Sequence, residues 1–159
     1  MIRITRETDY GIVLASFLAR NRDRAYSAAD LAKYQQLPLP MVSKILKTLT
    51  RTGLLISQRG VKGGYSLSRS PEAISAADII DALEGPIAMT ECTDETLATC
   101  IHQGHCSVSG HWQRINRALR EALERISLLE LSRPQQFQVN LPAIDRSLTA
   151  SKHPTHTTS

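Results

Sequence analysis

Three cysteines, Cys92, Cys100 and Cys106, lie within 15 residues of one another and are the only thiols of the 159-residue chain. Thiolates bind zinc and iron–sulfur clusters, and they also act as redox groups. Seven residues separate the first pair and five the second, which matches neither the Cys-x-x-Cys pairs of most zinc sites nor the ferredoxin pattern. By spacing alone, three unrelated structural cysteines remain an alternative. The segment has no apolar pattern that would bury them, so a metal or cluster centre is the better interpretation.

Such a centre lacks one ligand from the local set. Cys106 precedes a predicted helix, where unpaired backbone N–H groups favour a thiolate. The candidates for the fourth ligand are polar residues near Cys106 and acidic residues that would reach the site from a second copy of the chain: His102, His105, Ser109, His111, Asp9 and Glu7. A lone histidine in such a loop is usually just solvated, so no single histidine is preferred.

A second group of residues suited to binding is basic. Residues 1–70 hold 12 Lys and Arg against four acids, a net charge of +8, whereas residues 71–106 carry −7 and residues 107–159 carry +3. A basic N-terminal half suggests a polyanionic partner such as nucleic acid. Because many basic surfaces are only solvated, charge alone does not decide the point.

The elements that must position these residues begin with three helices. Apolar residues at helical spacing predict them near residues 8–21, 27–36 and 40–53. Ser27 and Asp30 have capping-box spacing, and Pro40 suits the first turn of the third helix. Two short strand-like segments follow, at 54–59 and 65–69, around a glycine-rich turn. Three helices and then a hairpin is the order of a winged helix-turn-helix.

In that fold the third helix enters the major groove of DNA. Its polar side chains lie away from the apolar stripe and are the candidate contacts to bases and phosphates: Ser43, Lys44, Lys47, Thr48 and Arg51. A solvated helix face is the alternative. Arg59 and Lys62 flank the tip of the wing, from which an arginine can enter a narrow minor groove.

Two more helices are expected after the wing. One begins at Ser75 and ends at Gly85-Pro86, and a long helix carries an apolar stripe that recurs at steps of three and four residues: Val108, Trp112, Ile115, Leu119, Ala122 and Ile126. This is nearly three heptads. The stripe could pack on its own domain, but we favour the long helix of a second copy and therefore a homodimer.

The prediction is a mainly α fold: a winged helix-turn-helix DNA-binding domain with a cluster-binding loop and a long dimerisation helix. Residues 1–85 are predicted to form the DNA-binding domain and residues 86–106 the cysteine-rich cluster-binding loop. Residues 107–133 form the dimerisation helix and a short C-terminal helix, and residues 134–159 a disordered tail. The tail is predicted to be disordered because its sequence has no apolar periodicity and is rich in Thr, Ser, His and Pro.

Several classes of protein are disfavoured. Apolar residues make up 42% and charged residues 21% of the chain, as in globular proteins, and no apolar run is long enough for a membrane span. The N-terminus lacks the apolar region of a signal peptide, so we expect a cytoplasmic protein with no membrane partner. An enzyme is not expected, because the glycines at 60–64 fit neither the Walker nor the dinucleotide pattern and no nucleophile has a recognisable base.

Over roughly residues 1–133 the chain resembles the iron–sulfur-cluster-binding winged-helix repressors that include IscR and the nitric-oxide sensor NsrR. The resemblance rests on the three-cysteine loop and on three motifs: Thr8-Asp-Tyr-Gly, Arg59-Gly-x-Lys-Gly-Gly-Tyr65 and Ile79-x-x-x-Leu-Glu84. Two stretches are most similar to the regulators of the SUF assembly system, Leu83 to Cys92 and Cys106 to Asn116.

The resemblance implies a homodimer in which Cys92, Cys100 and Cys106 hold the cluster. IscR-like proteins have a histidine three residues after the last cysteine, where this chain has Ser109. Asp9 occupies the position from which NsrR-like proteins supply a carboxylate across the dimer. The IscR resemblance implies [2Fe-2S], which we favour slightly, whereas completion by Asp9 would suit [4Fe-4S].

The leading functional hypothesis is a transcriptional regulator, interpreted as a repressor, that senses cluster status and controls cluster-assembly genes from a pseudo-palindromic operator on double-stranded DNA. The first alternative is a nitric-oxide or redox-sensing repressor on the same scaffold. The alternative of another class is an iron–sulfur carrier or electron-transfer protein without DNA binding, which the basic third helix disfavours.

Overall fold

The computed structural model describes residues 3–60, 63–93 and 106–134. The elements, in chain order, are α1 (Arg6–Arg20), α2 (Ala28–Gln35), α3 (Leu39–Arg51), β1 (Leu55–Gln58), β2 (Gly64–Leu67), α4 (Ala76–Glu84), α5 (Ser109–Glu124) and α6 (Leu128–Ser132). Short 3-10 turns cover Pro71–Ala73 and Glu91–Thr93. Three helices followed by a two-stranded antiparallel hairpin is the predicted winged helix-turn-helix order. No helix in these ranges is long and apolar enough to cross a membrane.

The ends of the helices follow local chemistry. Ser27 accepts a hydrogen bond from the Asp30 backbone N–H while the Asp30 carboxylate accepts one from the Ser27 N–H, so the predicted capping box is present. Ser75 starts α4 in the same way. After α3 the chain turns at Gly53, where φ is +78° and a residue without a Cβ is favoured.

The core lies between the three N-terminal helices, the base of the wing, and α4 and α6. The apolar face of α3 is fully inserted, since Val42, Ile45, Leu46 and Leu49 are all buried. Leu14, Leu18 and Leu31 meet them from α1 and α2. Burying one face of α3 leaves its polar face for solvent or a ligand.

The wing is anchored to the helical domain at its second strand. Leu55 pairs with Leu67 and Gln58 with Gly64, so the strands are shorter than the predicted 54–59 and 65–69. Tyr65 also exchanges two backbone hydrogen bonds with Tyr26, with N···O distances of 3.1 and 2.8 Å. Tyr26 is therefore a second backbone partner of β2 besides β1, and its backbone lies close against Gly64.

We expect Gly64→Ala to lower the free energy of unfolding by about 2–3 kcal/mol, the range for overpacking added to backbone strain. An added Cβ at Gly64 would lie 2.6 Å from the carbonyl carbon of Tyr26, and φ there is +152°. Gly110→Ala is the matched control, because a Cβ at Gly110 in α5 meets nothing within 4 Å. Denaturant melts of both variants measure the difference, and equal midpoints would contradict this account of the wing.

The long helix α5 is shorter than predicted and lies on the surface. It ends at Glu124, so Ile126 belongs to the connection to α6, where its carbonyl accepts a hydrogen bond from the Ala76 N–H at 2.8 Å. Ser127 then caps α6. This hydrogen bond joins the start of α4 to the chain just after α5, so Ile126, the last residue of the predicted apolar stripe, lies outside the helix.

The apolar stripe of α5 divides into two rows with seven-residue spacing. Trp112 and Leu119 are half-buried, and so is Ile126 beyond the helix, whereas Val108, Ile115 and Ala122 are exposed. Leu119 and Leu123 line a groove with α4 and the segment after it. One row of the stripe therefore packs on its own chain, and the other is free in the single chain.

Candidate DNA-binding surface and cysteine segment

The polar face of α3 presents the predicted DNA-contacting residues together. Lys44, Lys47 and Arg51 are exposed, and Ser43 and Thr48 are half-exposed. Arg59 is exposed at the end of the hairpin. Lys62 lies outside the described residues. The arrangement can offer ammonium, guanidinium and hydroxyl groups to phosphates and base edges, the chemistry that duplex DNA requires.

One of these lysines has a partner that the sequence did not indicate. The Lys44 Nζ lies 2.6 Å from the Glu7 Oε2, and the Glu7 side chain is 21% exposed against 67% for Lys44. Glu7 is also one of the candidate cluster ligands. In this chain its carboxylate joins the start of α1 to the basic face of α3. The two residues are 37 positions apart, so no local pattern could reveal the pair.

The start of α1 is also tied to the end of α4. Thr5 caps α1, and its backbone N–H donates to the Glu84 Oε1 at 2.8 Å. Partial burial disfavours the charged form of Glu84, but hydrogen bonds from the Thr5 N–H and from the Thr8 and Thr5 hydroxyls outweigh it and lower the pKa of Glu84. The carboxylate thus fixes the helix end that carries Glu7 and Asp9.

Asp9, the other acidic candidate, is exposed in the first turn of α1. There it can stabilise the helix through the dipole. Its exposed carboxylate is also accessible to a second molecule.

Cys92 stands in the short 3-10 turn after α4. Its thiol is half-buried, and its Sγ lies 3.1 Å from the Thr90 hydroxyl. Hydrogen bonds between Thr90 and Thr93 close the turn. The Thr93 N–H and the Thr93 hydroxyl donate to the Thr90 carbonyl at 2.9 and 2.8 Å, and the Thr90 N–H donates to the Thr93 hydroxyl at 3.1 Å. Cys92 is therefore presented by an ordered local structure.

Cys106 stands before α5, as predicted. Its thiol is half-buried, and its carbonyl accepts a hydrogen bond from the Ser109 hydroxyl at 3.2 Å. His111 follows, exposed in the first turn of α5. Cys100, His102 and His105 lie outside the described residues.

The donor set suits a thiophilic metal centre. Cys92 and Cys106 are free, half-buried thiols at the two described ends of the cysteine segment, and thiolates are the ligands of iron–sulfur clusters. Within residues 3–60, 63–93 and 106–134, no three His, Cys, Asp or Glu side chains gather as a complete metal site. The third cysteine of the set lies outside those ranges.

Comparison with known proteins supplies the family. Residues 4–134 match the Rrf2 family, described as "Iron-dependent Transcriptional regulator". The chain belongs to the Rrf2 family. This Rrf2 chain is 30% identical to the regulator CymR of Bacillus subtilis over 132 residues, 82% of the chain and 90% of CymR. It is 26% identical to NsrR of Halalkalibacterium halodurans over 131 residues, 82% of the chain and 90% of NsrR.

Solved structures of the family have the same fold. The structure of B. subtilis CymR, titled the global cysteine regulator, is 29% identical, with a TM-score of 0.68 over 83% of this chain and 97% of that one. T. potens IscR is 26% identical, with a TM-score of 0.62 over 82% of this chain and 85% of that one. The mainly α winged-helix prediction is confirmed, and this Rrf2 protein is a DNA-binding transcriptional regulator and not an enzyme.

Proposed function

We propose that this Rrf2 regulator is a repressor in the IscR and NsrR branch, closest to the SUF-system regulators, and that an iron–sulfur cluster on Cys92, Cys100 and Cys106 sets its affinity for DNA. The observation that carries the proposal is the placement of two free thiols, one in an ordered turn after α4 and one at the start of α5. Both α4 and α5 connect this segment to the winged-helix domain. The similarity to IscR and NsrR supports it.

The ligand set of the cluster would be completed from a second chain. Asp9 is our candidate, since its carboxylate is exposed at the start of α1, whereas the Ser109 hydroxyl is used on the Cys106 carbonyl. We favour [2Fe-2S] slightly over [4Fe-4S], by the likeness to IscR. When bound, the cluster would supply a redox-sensitive group that links Cys92, after α4, to Cys106, before α5.

The DNA interface would consist of two copies of the α3 face and the wing. In our proposal Ser43, Thr48 and Arg51 reach base edges, and Lys44 and Lys47 contact phosphates. Arg59 and Lys62 of the wing would follow the adjacent minor groove. Two such domains related by a two-fold axis would bind a pseudo-palindromic operator with half-sites about one helical turn apart, or a multiple of it.

A homodimer would bring those two domains together through α5. The exposed row of Val108, Ile115 and Ala122 has the seven-residue spacing of a helix pair. The regions would then act as a DNA-binding domain (1–85), a cluster-binding loop (86–106) and a dimerisation region (107–133), followed by a C-terminal tail (134–159). The tail beyond residue 134 lies outside the described residues. A regulator of chromosomal genes would act in the cytoplasm.

The proposal is tested by metal analysis of protein purified without oxygen. We expect iron and acid-labile sulfide in equal amounts, with a visible absorption band that nitric oxide or oxygen bleaches. Stoichiometric zinc without sulfide, or no metal at all, would overturn it. A cluster that nitric oxide removes far faster than oxygen does would favour the nitric-oxide sensor instead.

An iron–sulfur carrier or electron-transfer protein without DNA binding is disfavoured by the family of transcriptional regulators and by the exposed basic face of α3.

Glu7→Gln is expected to tighten DNA binding. The change removes the carboxylate 2.6 Å from the Lys44 ammonium, so Lys44 becomes available to a phosphate and the interface loses one negative charge. If Glu7 competes with a phosphate for Lys44, the slope of log K against log salt should steepen by up to about 0.9, the value for one phosphate contact. Lys47→Ala should change the slope by a similar amount in the opposite direction. Anisotropy titrations at several salt concentrations measure both, and an unchanged Glu7→Gln slope would show that the Glu7 carboxylate does not compete with the phosphates for Lys44.

A further inference from the structure

The segment that leads from α4 to Cys92 is held through its own backbone. The Ile87 N–H donates to the Asp81 Oδ1 at 3.1 Å, and the Ile87 carbonyl accepts from the Asn116 Nδ2 at 3.0 Å. The Met89 N–H donates to the Asn116 Oδ1 at 3.1 Å. The Asn116 side chain thus bonds a carbonyl and an N–H two residues apart, as a neighbouring strand would.

The side chains that hold this segment are themselves fixed. The Arg120 Nη2 lies 2.8 Å from the Asp81 Oδ2, and the Arg120 Nε lies 2.9 Å from the Glu124 Oε1. The hydrogen bond to Asp81 raises the pKa of Arg120 and outweighs the opposing effect of partial burial. Asn116 and Arg120 are one turn apart on α5 and lie on the same face of the helix. Arg120 bonds Asp81 of α4, and Asn116 bonds the segment that follows α4.

The hydrogen-bonded segment held by Asn116 leads directly into the turn that carries the Cys92 thiol. Two residues, Thr90 and Glu91, lie between Met89 and Cys92, and Thr90 closes the turn that carries the thiol. A cavity of about 400 Å³ extends along this path and is lined by Asp81, Pro86, Ile87, Thr93, Asn116 and Arg120.

The same helix also fixes the other described thiol. The Ser109 hydroxyl binds the Cys106 carbonyl at the start of α5. Asn116 lies seven residues further along, which is about 10 Å at 1.5 Å per residue. Helix α5 therefore carries both the side chain that positions the segment before Cys92 and the side chain that bonds the Cys106 carbonyl.

We infer that Asn116, supported by Asp81 and Arg120, is a positioning residue that fixes Cys92 relative to Cys106. The inference rests on the proposed cluster function. A cluster binds tightly only to thiolates held at the right separation, and loss of a group that orients a ligand typically costs about 10–100-fold in metal affinity. Asn116 touches neither thiol and acts only through the backbone of residues 87–89.

The test compares Asn116→Leu, which is similar in size but bonds neither backbone group, with Asn116→Asp, which keeps an acceptor for the Met89 N–H. Glu124→Gln is the matched control, because it removes the other partner of Arg120 and leaves Asp81 in place. Iron release from the cluster-loaded protein to excess chelator should be about 10–100-fold faster in Asn116→Leu. Asn116→Asp should fall between, and Glu124→Gln should match the wild type.

Amide hydrogen exchange in the cluster-free protein supplies a readout that does not depend on iron. Met89 should exchange faster in Asn116→Leu and stay protected in Asn116→Asp. Wild-type iron release in a folded Asn116→Leu variant would overturn the inference, as would unchanged Met89 exchange. A wild-type preparation without iron would instead overturn the proposed function, and Met89 exchange would then decide whether Asn116 holds the segment.

Discussion

Ile115→Asp is expected to convert the proposed homodimer into a folded monomer. Ile115 is 46% exposed in the single chain, so an aspartate there is solvated in a monomer and costs little. At an interface with a second α5 it would be buried without a partner, at a cost of about 3–5 kcal/mol. The dimer dissociation constant should therefore rise by about two to four orders of magnitude.

Gln113→Asp is the control for that variant, because it places the same charge at an exposed position on another face of α5. Sedimentation at micromolar concentration measures the assembly, and thermal melting verifies that the monomer is folded. A dimeric Ile115→Asp protein would exclude the exposed row of α5 from the interface. Leu119→Asp is less informative, since Leu119 lines a groove on its own chain and its substitution would also damage the fold.

Cys106→Ala, like Cys92→Ala and Cys100→Ala, is expected to remove the cluster almost completely. Iron–sulfur clusters require thiolate ligands, and these are the only three thiols of the chain. Iron and sulfide per protomer and the visible spectrum of anaerobic preparations measure the loss. Ser107→Ala, beside Cys106 and exposed, should retain the wild-type content.

The fourth ligand is tested in the same series. Asp9→Ala should shift the spectrum if the carboxylate reaches the cluster of a second chain, whereas His111→Ala should not. A spectrum that changes only with a histidine substitution would leave Asp9 as a helix-start residue. A cysteine variant with full iron and sulfide would remove that cysteine from the ligand set.

Local patterns were sufficient to predict most of the fold. The four apolar residues of α3 follow the 3.6-residue period and are all buried, and the capping boxes at Ser27 and Ser75 form between residues three apart. Differences arise where a distant segment intervenes. Tyr26 forms two backbone hydrogen bonds with Tyr65 in the second strand. The Ile126 carbonyl, beyond the end of α5, accepts a hydrogen bond from the Ala76 N–H.

The site was only partly predictable for the same reason. The exposed face of α3 follows from periodicity, and the placement of Cys106 before a helix follows from the pattern after it. The pairs Glu7–Lys44, Thr5–Glu84 and Asp81–Arg120 join residues 37, 79 and 39 positions apart, and no spacing within a single helix encodes them. Asn116 belongs to the stretch that carries the family resemblance, but only the structure shows that its side chain bonds the backbone of Ile87 and Met89.

The central claim is that the cluster sets DNA affinity, and the most direct test is a titration of one preparation in two states. Anaerobic protein, with its cluster and after chelation of the iron, is titrated against a duplex selected from a random pool and against a scrambled duplex at fixed salt. The account predicts that the affinities of the two states for the selected duplex differ by tenfold or more, about 1.4 kcal/mol, with little difference on the scrambled one. Equal affinity of both states for the selected duplex would contradict it.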